Sequence, residues 1–481
     1  MIIQILQLIL ALSFLVIIHE FGHFTFARLF HVRVEKFYLF FNPRFSLFRA
    51  KKFDGKWHVR LLAPNTVEGD EWSKHPDSTE WGIGWVPFGG YCAIAGMVDE
   101  THDSSTMSAT AQPWEFRSKN VWQRLLIISG GILVNFVAAL VLFSLLIYSN
   151  GTTTLPLKNI DRGLYFNELL QREGFEQQDR IISIDGEEPK DLNDVVQWTI
   201  IQGKQHVTLL RGEDTLSLTL SADLGNRYLA QQNEFDRQER DHARRDPAYI
   251  KSRYVLIDYF YPFVIDSVFP GSAADRAGLM KGDSLTALGD TPTPCFAMIN
   301  NVLRSHACDS ITITYYRQGE LATTRAFIND QCKLGVIACS PLNYFELEHR
   351  DYTLLESIPA GISHGWEYLV SYVKQFRLVF SKEGAQSLGG FGAIGQMFPK
   401  VWDWTIFWNM TAILSLILAF MNFLPIPGLD GGYILFLLYE ILTRKQPSDK
   451  FLERANTFGW VILIALLILA NGNDLLKWLF M

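Results

Sequence analysis

The chain has 481 residues, a length typical of about three domains, and 48% of its residues are hydrophobic. Its formal net charge of −7 comes without a basic stripe or an RNA-binding aromatic motif, which excludes nucleic acid as an expected partner. Apolar residues concentrate at the two ends of the chain, whereas residues 151–350 have the composition of a soluble region. The composition therefore predicts a membrane protein that carries a soluble insert.

Four apolar segments are candidates for helices that cross a bilayer. They are residues 2–18, 125–148, 405–423 and 458–470. Lys and Arg residues follow the first segment and precede the second and the fourth. By the positive-inside rule these flanks lie in the cytoplasm, and both termini and residues 150–400 lie outside. Because the first segment has no preceding basic residue and no A-x-A site after it, we expect a retained span and not a cleaved signal peptide.

The first apolar segment runs directly into His19-Glu20-Phe21-Gly22-His23, an HExxH motif. On a helix this spacing places two imidazoles one turn apart on the same face, where both can bind one zinc ion. The carboxylate of Glu20 can then accept a proton from a metal-bound water. Ionisable groups at membrane depth cost roughly 2.5–3.5 kcal/mol each, so three together indicate a function. The alternative is a helix with two histidines that are only structurally bonded.

Residues 31–120 contain short stretches that alternate apolar and polar residues, which predicts β-strands. The last stretch, residues 81–91, is aromatic and glycine-rich and ends in Phe88-Gly89-Gly90-Tyr91. It is interpreted either as a hairpin that only packs over the first helix or as an edge strand that pairs with an extended peptide. In the second interpretation, Gly89, Gly90 and Tyr91 contact the substrate.

The soluble region contains an internal repeat. Residues 174–184 recur 104 positions later as residues 278–288, and at the same offset 195–201 match 299–305 and 206–210 match 310–314. A period this long indicates duplicated domains. The second copy resembles a PDZ domain of the bacterial protease type, and the first copy resembles it less closely. The charged residues 227–251 between the copies are predicted to form a linker or a long helix.

Four of the five cysteines fall in this soluble region. They are Cys295, Cys308, Cys332 and Cys339. An exported region permits disulfides, and four cysteines allow three pairings between which the sequence does not choose.

Residues 358–380 carry apolar residues at steps of three and four, which predicts an amphipathic helix lying in the membrane interface. The alternative is a soluble helix that packs on the second PDZ-like copy. The glycine-rich residues 387–395 that follow lack the preceding strand of a nucleotide-binding motif.

Two histidines and a water leave zinc short of a protein ligand, because catalytic zinc sites usually have three. The best candidate is Asp430, in the motif Asn422-Phe-Leu-Pro-Ile-Pro-Gly-Leu-Asp430-Gly-Gly at the end of the third apolar segment. Its two prolines break the helix, and the freed backbone groups must be buried in protein or line a cavity. The alternative role of Asp430 is to cap the helix that follows.

The HExxH motif, residues 88–91, the motif around Asp430 and the PDZ-like pair together resemble the site-2 protease family, over nearly the whole chain. The resemblance implies an intramembrane zinc metalloprotease of the inner membrane, with its active site toward the cytoplasm. It implies that His19, His23 and Asp430 bind Zn²⁺. It also implies that Glu20 is the catalytic base and that Asn422 helps to hold the substrate. Residues 45–75 depart from the family pattern and resemble an insertion.

The predicted fold class is a polytopic α-helical membrane protein with four transmembrane helices, a membrane-associated β-hairpin region and a tandem of periplasmic PDZ-like α+β domains. The predicted segments are the first span (1–30), the β region (31–120), the second span (121–149), the first PDZ-like domain (150–226), a charged spacer (227–255), the second PDZ domain (256–345), the interfacial helix with the glycine-rich segment (346–400) and the last two spans (401–481).

The apolar segments predict the lipid bilayer as a partner, and the resemblance implies that the substrates are single-pass membrane proteins, such as anti-sigma factors or signal-peptide remnants. Two other functions remain open. One is a catalytically inactive, membrane-anchored PDZ adaptor. The other is a soluble-type zinc protease tethered to the membrane, which is disfavoured because no third His or Glu ligand is evident downstream.

Overall fold

The computed structural model describes residues 2–65, 71–97, 110–245, 254–306, 308–329, 332–340, 343–376 and 389–479. The chain forms two compact units. The first unit comprises Met1–Gly151, Asp351–Tyr372 and Gly389–Leu476, and the second comprises Thr152–Arg350, Val373–Leu388 and Lys477–Met481.

The helices are α1 (Ile2–Leu29), α2 (Val121–Asn150), α3 (Glu168–Gln171), α4 (Leu192–Val196), α5 (Leu224–Arg245), α6 (Ala273–Arg276), α7 (Phe296–Ser305), α8 (Leu354–Phe376), α9 (Phe391–Met397), α10 (Trp404–Phe423), α11 (Asp430–Thr443) and α12 (Asp449–Leu479). The strands of the first unit are β1 (Val34–Phe41), β2 (Phe45–Phe53), β3 (Lys56–Pro64), β4 (Glu80–Ile83) and β5 (Val86–Ile94). The strands of the second unit are β6 (Thr152–Thr154), β7 (Leu164–Phe166), β8 (Arg180–Ile184), β9 (His206–Arg211), β10 (Asp214–Thr219), β11 (Ile257–Tyr259), β12 (Phe263–Val268), β13 (Ser284–Leu288), β14 (Thr291–Pro292), β15 (Asp309–Arg317), β16 (Glu320–Ile328), β17 (Val336–Ala338) and β18 (Glu348–Arg350).

Among the described residues, three helices are long and apolar enough to cross a membrane: α1, α2 and α10. The fourth predicted segment, residues 458–470, lies within α12. The apolar stretch of that helix, Arg454–Leu469, is shorter than the other three. The chain is therefore a membrane protein with three clear candidate spans.

Small residues bring the membrane helices together. A Cβ atom added to Gly130 of α2 would lie 2.7 Å from the carbonyl oxygen of Gly22 in α1, so the two backbones are nearly in contact. Further along α2, the Ser415 hydroxyl of α10 donates to the Asn135 carbonyl at 2.7 Å. Close backbone approach and interhelical hydrogen bonds are what hold helices together in lipid, where apolar burial contributes little.

Helix α8 covers most of the predicted amphipathic helix, whose residues 377–380 lie outside the described part of the chain. Its glycine face packs on α2, with Gly361 against Ser144 and Gly365 against Leu140. The Tyr372 ring meets Phe420 of α10 edge-on, with centroids 5.6 Å apart. Packing on two membrane helices differs from the alternative of a soluble helix docked on the second PDZ-like copy.

The β region predicted after the first helix is a five-stranded sheet in the order β3-β2-β4-β1-β5. Strand β5, which contains Gly89, Gly90 and Tyr91, is one edge and pairs antiparallel with β1. The segment that resembles an insertion forms the β2–β3 hairpin at the other edge. Apolar side chains of β1 and β5 pack against α1 and α2 in one core, which attaches the sheet to the membrane helices.

The predicted repeat is present in the second unit. Both copies run strand, helix, strand, helix and then three strands, as β7-α3-β8-α4-β9-β10-β11 and as β12-α6-β13-α7-β15-β16-β17. The backbone bridge between Ile184 and Glu187 recurs as the pair Leu288–Thr291, 104 residues later. Each copy has its own apolar core.

The strand match within the repeat is wrong by two residues. Arg180 pairs with Leu210 in the first copy, whereas Ser284 pairs with Tyr316 in the second. Ser284 lies 104 positions after Arg180, whereas Tyr316 lies 106 positions after Leu210. Strand β9 therefore corresponds to residues 312–317 and not to 310–314. The segment before the later strand is two residues longer in the second copy.

The charged spacer forms helix α5 up to Arg245, and its residues 246–253 lie outside the described part of the chain. Strand β11 follows the spacer and pairs antiparallel with β7, joining Ile257 to Phe166. The core of the first copy also contains Leu256 and Ile257. The first copy therefore continues past residue 226, and the spacer interrupts it before its last strand.

A buried carboxylate is bound in the same way in both copies. Arg211 Nε donates to Asp179 Oδ1 at 2.8 Å, and Arg317 Nε donates to Asp283 Oδ1 at 2.8 Å. Each carboxylate also accepts a backbone N–H three residues before it, at 2.8 Å. These two Asp–Arg pairs hold the turn that enters the second strand of each copy. No disulfide joins the five cysteines, all of which lie among the described residues.

Candidate metal centre

The HExxH segment lies in the second half of α1, so the helix itself aligns the two imidazoles. His19 Nε2 and His23 Nε2 are 3.2 Å apart. The two rings meet edge-on, with centroids 4.8 Å apart. Glu20 lies on the same helical turn and is partly exposed. The local geometry is therefore the one that the spacing predicts.

Asp430 reaches the two histidines from the first turn of α11. Its Oδ2 atom is 3.2 Å from His19 Nε2 and 3.4 Å from His23 Nε2. The helix break predicted from the two prolines is present, because α10 ends at Phe423 and α11 begins at Asp430. The N-cap residue of α11 is Leu429, and no side chain caps this helix. Asp430 thus points into the site and does not serve as a cap.

The three potential ligand atoms have the spacing that zinc requires. Zinc bound tetrahedrally at about 2.0–2.1 Å holds its ligand atoms about 3.3 Å apart. The observed separations are 3.2, 3.2 and 3.4 Å. Asp430 Oδ2 is buried without a hydrogen-bond donor, a shortage that a cation in the centre would relieve. In the described part of the chain, this is the one cluster of three or more potential metal ligands.

Helix α2 supplies space beside the imidazoles. A Cβ atom on Gly131 would lie 2.6 Å from His19 Cε1 and 2.6 Å from His23 Nε2, so a side chain there would displace both rings. His23 Nδ1 is 2.9 Å from the Ile127 carbonyl oxygen. Because a carbonyl only accepts, Nδ1 carries the proton and Nε2 keeps its lone pair for a metal.

Asn135, one turn after Gly131, contacts the other histidine. Its Nδ2 atom is 3.3 Å from His19 Nδ1. The side chain is fully buried, and its Oδ1 atom has no hydrogen-bond partner. Rotating the amide by 180° exchanges the two atoms, and Oδ1 then accepts a proton from His19 Nδ1. That arrangement leaves His19 Nε2 free to bind a metal, as the Ile127 carbonyl does for His23.

The sequence motifs alone do not indicate these contributions of α2. Ile127, Gly131 and Asn135 follow one another at steps of four, on one face of the helix. The available signal was Asn135 itself, because a polar side chain in the middle of an apolar span calls for a partner. The role of the Ile127 carbonyl cannot be predicted from the sequence, because every residue has a backbone carbonyl.

The predicted substrate residues lie near the site or on elements that lead to it. Gly90 of β5 faces α1 one turn before His19, since a Cβ atom there would lie 2.8 Å from the Val16 side chain. The Tyr91 ring stacks on Tyr38, with centroids 5.1 Å apart, and its hydroxyl donates to Asn42 at 3.0 Å. The Tyr91 side chain thus serves the sheet, which leaves the β5 backbone as the part able to pair with a peptide. Asn422 lies in the last turn of α10, just before the helix break.

Comparison with known proteins agrees with this geometry. A family model described as peptidase family M50 matches residues 7–69 and 69–466. A protein of Haemophilus influenzae named "Regulator of sigma E protease" is 26% identical over 481 residues, which cover 98% of each chain. Two further relatives share the name "Putative zinc metalloprotease". The one from Vibrio cholerae is 26% identical over 491 residues (97% of each chain), and the one from Borreliella burgdorferi is 23% identical over 497 residues (98% of each chain).

Proposed function

Because the chain belongs to peptidase family M50, we propose that it is an intramembrane zinc metalloprotease that hydrolyses peptide bonds in the transmembrane segments of other proteins. Membership of this family confirms the resemblance seen in the sequence motifs. The observation that carries the proposal is that Asp430 meets His19 and His23 on α1, a helix long and apolar enough to cross a membrane.

Each residue of the centre has a chemical role in this proposal. His19, His23 and Asp430 hold Zn²⁺, which when bound lowers the pKa of a water ligand and polarises a carbonyl group. Glu20 accepts the proton of the attacking water and then returns it to the leaving amine. The Asn422 amide donates a hydrogen bond to the substrate near the scissile peptide, where charge develops on the carbonyl oxygen.

The β5 edge gives a means of presenting the substrate. A transmembrane helix keeps its carbonyl groups hydrogen-bonded, so the segment to be cut must first unwind. The backbone of Gly89, Gly90 and Tyr91 lies on an edge strand, where an extended peptide can add as a further strand. Strand addition would replace the hydrogen bonds lost on unwinding and place the peptide beside α1.

The rest of the chain is assigned in the same proposal. The repeated copies of the second unit act as PDZ-like domains, and α12 is the fourth span. The chain lies in an inner membrane, with the second unit and both termini in the periplasm and the centre toward the cytoplasm. The substrates are single-pass membrane proteins such as anti-sigma factors. The name of the Haemophilus influenzae relative supports that class of substrate.

The main competing function is a membrane-anchored PDZ adaptor with an inactive centre. A complete ligand set together with Glu20 argues against it, because an adaptor has no use for a general base. A soluble-type zinc protease tethered to the membrane is disfavoured because the third candidate ligand is an Asp on a membrane-helix break.

The test is Glu20→Gln in the full chain, assayed for zinc content and for cleavage of a transmembrane substrate in proteoliposomes. The amide keeps the shape of the side chain and loses its basicity, so zinc should stay at the wild-type level and cleavage should be lost. Glu320→Gln, an exposed residue of the second unit, is the matched control and should cleave normally. Near wild-type cleavage by Glu20→Gln would exclude Glu20 as the base. A zinc-loaded wild-type chain that cleaves no membrane protein would favour the adaptor.

A further inference from the structure

The β2–β3 hairpin carries an apolar surface that the proteolytic function does not use. The directly paired residues Phe48–Leu61 and Ala50–Val59 point to one face of the sheet. On the other side of β2, Phe48 pairs with Ile83, so the same face continues across β4. Leu61, Trp57, Val59 and Ile83 are 70%, 57%, 55% and 38% exposed. We call these four residues the hairpin face.

The hairpin face is the open continuation of a surface that is already buried. Further along the same side of the sheet, the rings of Phe37 and Trp81 pack on Phe24 of α1, with centroids 5.8 and 5.2 Å away. Helix α1 is one of the candidate spans. The apolar surface therefore begins against a membrane helix and extends sideways from it, at the level of the second half of that helix.

The opposite face of the hairpin has the opposite character. It carries Arg49, Lys51 and Arg60, and the segment Glu71–Lys74 folds over it. The Trp72 ring lies between the guanidinium groups of Arg49 and Arg60, at 5.1 and 4.4 Å, and its carbonyl accepts from Lys51. One face of the hairpin is thus apolar and uncovered, whereas on the other face the cationic side chains of Arg49 and Lys51 are buried against the segment that contains Trp72.

We propose that the hairpin face lies in the interfacial layer of the lipid bilayer, beside α1. Trp57 and its strand partner Lys52 suit that layer, where an indole sits at headgroup level and a Lys side chain reaches the phosphates. The free edge of β3 limits the depth, because it pairs with no other strand among the described residues. Unpaired backbone groups do not occur in the hydrocarbon core, so the hairpin lies flat at the boundary and does not cross it.

Spin labels measure this placement in the full chain. Val59→Cys and Leu61→Cys report on the hairpin face, and Lys56→Cys is the matched control on the opposite face of the same strand. The background carries Cys308→Ser and Cys339→Ser, because the other three cysteines are buried. Relaxation by oxygen, which concentrates among acyl chains, is compared with relaxation by a water-soluble nickel chelate in phosphatidylcholine–phosphatidylglycerol liposomes.

Oxygen should relax the labels at positions 59 and 61 more strongly than nickel, and nickel should dominate at position 56. Nickel dominance at 59 and 61 would overturn the proposal, because the face would then be in water. Exclusion of both reagents there would also overturn it, because a second protein or another copy of this chain would cover the face. Oxygen dominance at all three positions would place the hairpin deeper than the interface. Zinc content, measured on the same samples, reports separately on the metal centre.

Discussion

At the scale of single residues, the candidate centre joins three potential ligand atoms that come from two helices, α1 and α11. These atoms lie 3.2–3.4 Å apart, close to the separation that a tetrahedral zinc imposes. The Ile127 carbonyl contacts Nδ1 of His23, and the Asn135 amide contacts Nδ1 of His19. Orientation of both rings by α2 reduces the ordering cost that metal binding would otherwise carry.

Asp430→Ala should lower both bound zinc and cleavage, because it removes the one ligand that α11 provides. Metal content per chain, measured after dialysis against a weak chelator, gives the answer directly. Asp403→Ala is a suitable control, because the Asp403 side chain accepts the Ile406 N–H at the start of α10 and does not belong to the cluster of potential metal ligands. Wild-type zinc content in Asp430→Ala would show that the third ligand lies elsewhere.

Asn135→Leu should weaken zinc binding about 10–100-fold, the usual effect of losing the group that orients a metal-bound histidine. Asn135→Asp should restore most of the affinity, because a carboxylate oxygen also accepts from His19 Nδ1. Chelator competition measures the affinity, and the visible spectrum of the cobalt-substituted protein reports the ligand geometry. Thr411→Val, another fully buried polar position in a membrane helix, is the control. An equal loss of zinc affinity in the Leu and Asp variants would show that Asn135 acts only through packing.

At the scale of elements, the centre depends on how closely α2 approaches α1. A Cβ atom on Gly131 would overlap both imidazoles, whereas one on Gly395 in α9 would meet only the Leu8 side chain at 3.6 Å, an ordinary contact. Glycine at position 131 thus makes room for the two imidazoles. The β5 edge and the hairpin face likewise depend on elements, since both arise from the order of strands in one sheet.

Gly131→Ala should therefore displace the imidazoles and reduce zinc content and cleavage together, while Gly395→Ala should leave both unchanged. Zinc stoichiometry and the rate of substrate cleavage in proteoliposomes are the measurements. Thermal unfolding of the zinc-free proteins separates a local effect from misfolding. Normal activity of Gly131→Ala would mean that α1 and α2 can separate without harm to the centre.

At the scale of the whole molecule, the second unit is a duplication in which each copy contains a buried Asp paired with an Arg. Burial alone would raise the pKa of Asp283, but the Arg317 guanidinium and the Met280 N–H stabilise the carboxylate and hold its pKa below the usual range. A carboxyl whose pKa is depressed in the folded state contributes stability above its unfolded pKa of about 3.9. That contribution is lost as the pH falls through the lower, folded value.

Asp283→Asn should destabilise the second copy by about 1 kcal/mol at neutral pH, because a neutral amide accepts the hydrogen bonds from the Arg317 guanidinium and the Met280 N–H more weakly than a carboxylate does. The deficit should shrink as the pH falls below about 3.9, where the carboxyl of the unfolded chain becomes protonated, and should disappear below the lower pKa of the folded state. Hydrogen exchange of β13 and β15 in the full chain reports the local stability. Asp290→Asn, at an exposed turn of the same copy, should exchange like the wild type. A deficit that persists unchanged in acid would exclude the ion pair as its cause.

Much of this protein follows from local rules that the sequence by itself expresses. The HExxH spacing determines the relation of His19 to His23, because a helical turn has a constant pitch. The prolines after Asn422 require a helix break, and the run of apolar residues requires a span. The 104-residue repeat can be recognised in the sequence because each copy has the same turn residues at equivalent positions, such as Asp179 and Asp283. For these features, neighbours in sequence are neighbours in space.

Only the tertiary structure decided what depends on contacts between distant segments. Asn135 and the Ile127 carbonyl meet the imidazoles because two helices approach through glycine, and no pattern within α2 specifies its partner. Strand β11 follows a long charged helix in the sequence but pairs with β7 of the first copy. This pairing buries Ile257 in the core of that copy, and such a long-range contact cannot be recognised from the order of the segments. The two-residue shift in β15 has the same origin: register is set by which side chains reach the core, and a longer preceding loop absorbs the difference.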